Sequence, residues 1–99
     1  MPVISQFTVG DTLRFSVTFS VGGTNTDPTV ITFRRRDPNG VIQAYVYGTD
    51  VELVRTAVGL YRIDLALSVT GEYWYRWEGT GSAAGVSEDR VLILKSLVV

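Results

Sequence analysis

Few side chains in this sequence can do chemistry. Histidine and cysteine are both absent, which removes the commonest general base, the usual zinc ligands, the thiolate nucleophile and any disulfide framework together. Proton transfer is left to aspartate, glutamate and tyrosine. Hydrolysis by paired carboxylates needs two acids facing each other across a cleft. Here Asp11, Asp27, Asp37 and Asp50 fall in turn-like segments, while Asp64, Glu72 and Glu78 fall on the outer positions of strand-like ones. Asp is a turn residue in its own right, because its carboxylate bonds nearby backbone N–H groups, so these acids are expected to be solvated surface. The only lysine, Lys95, makes a poor base for a serine or tyrosine nucleophile. No D-x-[DN]-x-[DN]-G loop occurs, and Asp27, Asp37 and Asp50 belong to separate loops, so no metal site is expected. These residues read as a protein that is not an enzyme and holds no cofactor.

Recognition by contact remains, and four groups of residues are candidates for it. Arg34-Arg35-Arg36 is the only charge cluster. Strand alternation sends Arg35 to the face opposite Arg34 and Arg36 and Asp37 offsets part of the charge, so the run reads as a strand end or an arginine-mediated protein contact rather than a nucleic-acid patch. In EYWYRWEG, Tyr73, Tyr75 and Trp77 alternate with Trp74, Arg76 and Glu78. The first set is expected in the core, with Tyr73 just after Gly71 as a tyrosine-corner analogue; Trp74 then faces outward beside Arg76. There it is a cation–π shelf, an interface anchor, or, joined by Tyr45 and Tyr47, a sugar-stacking platform. In VLILKSLVV, Val91 and Ile93 point one way and Leu92 and Leu94 the other, leaving an apolar stripe that a neighbouring subunit would cover.

Strands must position these side chains. Val, Ile and Thr make up 31 of the 99 residues, against five Ala, four Glu and one Lys; stiff branched side chains suit pleated surfaces, and good helix formers are scarce. LRFSVTFSV puts Leu13, Phe15, Val17, Phe19 and Val21 on one face, and GLYRIDLAL does the same for Tyr61, Ile63, Leu65 and Leu67. Further strands are expected over residues 4–9, 29–35, 41–48, 72–79 and 86–97. DPNG is a turn joining two of them. TDVELVRTAVG lacks alternation, and Asp50 is placed to cap one helical turn through Val54. About seven short strands separated by polar turns predict an all-β single domain, an antiparallel sandwich over residues 1–99, with a small closed barrel as the alternative. The terminal segments 1–8 and 95–99 are expected to serve assembly contacts, the first by pairing along a sheet edge. Nine basic and ten acidic residues give a net charge of −1, so nucleic acid is not an expected partner. Neither a signal peptide nor an apolar run of the roughly 20 residues that span a bilayer is present, which argues against export and a membrane.

At GDTLRFSVTF, DPTVITF, RDPNG, YVYGTDVELVR, GLYRIDLAL and GEYWYRWEGTG, the chain resembles the small immunoglobulin-like β-sandwich structural proteins of tailed bacteriophages and prophages. The resemblance covers about residues 9–95 and rests on the order and spacing of these pieces. It implies an immunoglobulin-like sandwich without reaction or cofactor, found in the virion and assembled in the host cytoplasm. The partners it implies are the major capsid protein or other virion proteins, further copies of the chain, and weak glycan contacts. Capsid decoration (a cement role) is the expected function; the alternatives are a neck, tail or baseplate accessory protein, or a carbohydrate-binding adhesion module. No family site residue carries over, so the interaction candidates stay Trp74, Arg76, Tyr45, Tyr47, Arg34, Arg36, Leu92 and Leu94. The apolar end from Leu94 to Val99 departs from the polar finish the resemblance implies and favours burial against a neighbour.

Overall fold

The clearest alternation in the sequence, from Leu13 to Phe19, becomes a strand whose buried side chains line one wall of the core. A computed structural model describes residues 5–95, and this strand is the second in it. In chain order the strands are β1 (Ser5–Thr8), β2 (Thr12–Thr18), β3 (Ser20–Val21), β4 (Thr24–Asn25), β5 (Val30–Arg36), β6 (Ile42–Val46), β7 (Leu53–Ala57), β8 (Leu60–Ala66), β9 (Gly71–Thr80) and β10 (Gly85–Leu94), with one 3₁₀ turn at Gly81–Ala83. They form a five-stranded sheet ordered β1-β10-β9-β5-β6, a three-stranded sheet ordered β2-β8-β7, and the short β3-β4 ribbon. The chain is all-β, as expected, with no α-helix among the described residues.

Three expectations are corrected. The large sheet is mixed rather than antiparallel, because β1 runs parallel to β10. The stretch after Asp50 is not a helical turn but leads into β7, an edge strand with only Leu53 buried, which hides its alternation. Asp50 closes the preceding turn instead, its carboxylate accepting the Val46 N–H at 2.8 Å. The β2 alternation also stops at Phe19: Val21 lies on β3 and is 52% exposed. Gly22 and Gly23 follow with φ of 58° and 83°, both in the left-handed region that a two-residue hairpin turn requires. The expected assembly segments fall largely at residues 1–4 and 96–99, outside the described residues, as does the end of the last expected strand.

The two larger sheets pack face to face, sandwich-like, through aromatic side chains. Phe15 of β2 meets Phe33 of β5 at 5.3 Å and Tyr75 of β9 at 4.7 Å between ring centroids, and Phe33 meets Trp77 at 4.8 Å. Tilted rings at such spacings contribute roughly 0.5–1.5 kcal/mol per pair beyond area burial. Trp77 is 1% exposed, and its indole N–H reaches no acceptor, so it supports the core through its area and its ring contact with Phe33 and not through a hydrogen bond. The Tyr73 hydroxyl accepts the Val69 N–H at 3.1 Å, tying the turn before β9 to the core.

Asp27, expected as solvated surface, is the knot of the opposite end. Its carboxylate accepts from the Gly59 N–H (2.8 Å), the Tyr61 hydroxyl (2.8 Å) and both Nε and Nη2 of Arg55 (3.2 and 3.0 Å). The Ser82 hydroxyl donates to its main-chain carbonyl at 2.9 Å. Arg55 first, then the Gly59 and Tyr61 donors, hold the Asp27 carboxyl well below the usual carboxylate range, since every partner favours the charged form. Burial first, then the bond to Asp27, pushes the Tyr61 phenol up to about 12. Gly59 sits in the β7–β8 turn at φ +74°, where a Cβ would collide with the Phe19 carbonyl oxygen and the Thr26 backbone.

Gly59→Ala should cost about 3 kcal/mol in urea unfolding, through left-handed strain plus overlap, whereas Gly23→Ala, with open space at φ +83°, should cost about 1 kcal/mol. The lowered Asp27 carboxyl contributes stability that is whole above the unfolded carboxylate value and is lost as pH falls below it. The urea midpoint of Asp27→Asn should therefore lie below wild type at pH 7, the gap narrowing below about pH 4. Tyr61 gives the opposite limb: its contribution is whole below pH 10 and is lost as pH rises through about 12, so Tyr61→Phe should flatten the alkaline decline.

Candidate functional site

Side chains of β9 alternate between the core and the outer face of the large sheet, and the ladders to β5 and β10 carry that parity across four strands. One row of that face aligns Ala44, Arg34, Arg76 and Glu88; the next aligns Ile42, Arg36, Trp74 and Arg90. Arg34 and Arg76, directly opposite each other, would repel. Glu78 lies beside both, and one oxygen, Oε2, accepts from Arg34 Nη1 at 3.3 Å and from Arg76 Nε at 3.2 Å. Arg76 also lies 3.6 Å from Glu88, and Arg90 lies 3.4 Å from Glu72.

Trp74, 40% exposed, forms the shelf expected of it, but the cation is Arg90 rather than Arg76: the guanidinium carbon lies 5.2 Å from the ring centroid. Such a contact contributes about 0.5–1 kcal/mol at an exposed site. Beside it Ile42 is 64% exposed. A groove of about 400 Å³ runs between these side chains, bordered by Arg34, Arg36, Arg76, Trp74, Ile42 and Glu88. Arg36 forms no ion pair among the described residues, in contrast to Arg34, Arg76 and Arg90.

The remaining interaction candidates separate. Tyr45 is corrected: it is 4% exposed, packs 6.3 Å from Phe33 inside the sandwich, and its hydroxyl accepts from Arg35 Nε at 3.4 Å. Tyr47 is exposed but leans edge-on against Tyr61 at 5.3 Å, on the core side of the sheet rather than beside Trp74. The three rings therefore do not make a shared platform. Leu92 is half-buried and Leu94 is 41% exposed; both continue the Trp74 face toward β1, opposite Gln6 and Thr8. Arg35 turns to the other face, as alternation requires.

The carboxylates considered for acid–base work are engaged structurally. Asp11 accepts the Thr8 N–H at 3.0 Å, and Asp37 accepts those of Asn39 and Val41, each at 2.9 Å. Asp64 bridges Arg14 and Arg62, each at 2.9 Å, on the outer face of the small sheet. Among the described residues that face carries no exposed aromatic ring, and the Trp74 face is the one that combines an aromatic ring, an aliphatic side chain and an unpaired cation. Comparison with known proteins finds no family model, curated protein or solved structure that matches the chain significantly.

Glu78→Gln should destabilise the fold by about 0.5–1 kcal/mol in dilute buffer, because Arg34 then faces Arg76 without a shared carboxylate. Repeating the urea titration in 0.5 M NaCl should erase most of the difference, since salt screens the exposed pair.

Proposed function

We propose that this chain is a non-enzymatic, immunoglobulin-like structural protein of a tailed-phage virion, a capsid decoration protein that binds the assembled major capsid lattice through the outer face of its large sheet. The observation that carries the docking role is the composition of that face. Trp74, Ile42, Arg36 and Arg34 stand together at a groove on rigid strands, and aromatic and arginine side chains are what protein interfaces concentrate. Backbone order is already fixed by the ladders, so binding here orders few additional bonds.

Strand order supports the immunoglobulin-like part of the reading. In such domains a B-E-D sheet faces a G-F-C sheet extended by further strands; here β2-β8-β7 faces β1-β10-β9-β5-β6, and the Tyr73–Val69 bond stands where a tyrosine corner would. The virion placement rests on the sequence resemblance across the strand and turn segments. A glycan-adhesion role loses its footing with Tyr45 in the core, because a stacking platform needs several rings on one exposed face.

Co-sedimentation with empty capsids assembled from the major capsid protein of the same phage tests this function. Saturable binding at a fixed ratio to the capsid protein is expected, weakened by Trp74→Ala. A chain left in the supernatant at capsid concentrations that saturate authentic decoration would overturn the decoration role and turn attention to tails and necks.

A further inference from the structure

The groove beside Trp74 has a chemistry of its own, set by which hydrogen-bonding groups it leaves over. A guanidinium carries five N–H donors and no acceptor. Arg34 donates one hydrogen bond, to Glu78 Oε2, and Arg90 donates one from its side chain, to Glu72. Glu78 offers that same oxygen to Arg76, so one acceptor atom serves two cations. Arg36 donates none and pairs with no acid among the described residues. The face thus holds a surplus of donors and, at Arg36, a guanidinium without an ion-pair partner among the described residues. Directly across the β5–β9 and β5–β6 ladders from Arg36 stand Trp74 and Ile42, both exposed and apolar.

We propose that this groove seats a short acidic segment of the protein partner, a Glu or Asp carboxylate taken by Arg36 and a neighbouring apolar side chain laid between Trp74 and Ile42. A carboxylate supplies acceptors only, which is what the surplus donors lack, and it can meet the planar fork of Arg36 with two oxygens at once. Nucleic acid fits less well. Glu72, Glu78 and Glu88 are interleaved with the arginines on this face, and a phosphate backbone tracking across it would meet those three negative charges. One or two carboxylates at Arg36 avoid them. The proposal rests on the docking role of this face and names the chemistry of what docks there.

Fluorescence anisotropy of a labelled twelve-residue peptide of repeating Glu-Leu-Gly tests it, beside a Gln-Leu-Gly counterpart and a twelve-nucleotide oligothymidylate. The Glu peptide should bind at least about tenfold more tightly than the Gln peptide and lose affinity in 0.5 M NaCl. Arg36→Gln should weaken it about threefold and Arg36→Glu about tenfold, whereas Arg36→Lys, which keeps the charge and loses only the planar fork, should weaken it less than Arg36→Gln. Trp74→Ala should weaken the Glu and Gln peptides alike, because it removes the shelf and not the charge. Arg36 and Trp74 are both exposed, and matching urea midpoints confirm that the variants fold. Equal binding of the Glu and Gln peptides, no binding of the Glu peptide, or tighter binding of the oligothymidylate would overturn the proposal. The capsid assay separates the two ideas. Capsid binding that Arg36→Glu leaves unchanged defeats the acidic-segment proposal alone, whereas Arg36-dependent binding of the Glu peptide without capsid binding upholds it and defeats the decoration role alone.

Discussion

The period-two alternation of β9 is the constraint on which the rest of the molecule hangs. This strand is paired along most of its length on both sides, to β10 and to β5, so its register is held by two ladders rather than one. Tyr73 and Trp77 then fill the core, while Trp74, Arg76 and Glu78 stand on the opposite face. A one-residue slip would exchange the sets, placing Arg76 and Glu78 between the sheets and the rings of Tyr73, Tyr75 and Trp77 in water. Core and outer face are therefore two readouts of a single register, which is why the Trp74 face is rigid without any helix or loop to support it.

A second constraint holds the other sheet. The segment from Phe19 to Thr29 leaves β2, turns at Gly22-Gly23 and crosses to β5. Asp27 pins it to the β7–β8 hairpin through Gly59, Arg55 and Tyr61. The same hairpin accepts the Phe19 N–H at the Gly59 carbonyl, 2.7 Å away. Asp27 thus joins the crossing segment to the hairpin through its carboxylate and to the turn between β9 and β10 through its main-chain carbonyl, which accepts from the Ser82 hydroxyl. The cluster also differs from the Trp74 face in its electrostatics: its charges are satisfied among themselves, whereas Arg36 beside Trp74 has no ion-pair partner among the described residues.

Much of this was legible because strand parity is local. The inward positions of β2, β8 and β10, the opposed directions of Arg34 and Arg35, the DPNG turn and the outward Trp74 all follow from counting by twos. Tyr45 was not legible, since both faces of β6 are apolar, Ile42 and Val46 on one and Tyr45 on the other; alternation says which residues share a face and not which face is inward. Strand β7 was hidden by its exposed edge position and by the irregular register between Arg55 and Ala57. The pairing of Arg90 with Trp74 depends on how β10 registers against β9, and the partners of the Asp27 carboxylate lie 28 to 34 residues away. Contacts of that kind belong to the assembled sheets, and no window of sequence contains them.

The parallel pairing of β1 with β10 has a mechanical meaning. Chain enters β1 at Ser5 beside Val91 and leaves β10 at Leu94 beside Thr8, so tension applied through the entering and leaving segments pulls the two strands past each other lengthwise. The bonds of the ladder, with the Val9 N–H to Leu94 carbonyl bond at its end, are then strained together in shear; an antiparallel pair pulled from its open end would lose them one at a time. Resistance of this kind is governed by the unfolding rate under load rather than by equilibrium stability. Load passing lengthwise through the two strands would therefore cross this seam before any of it reached the core.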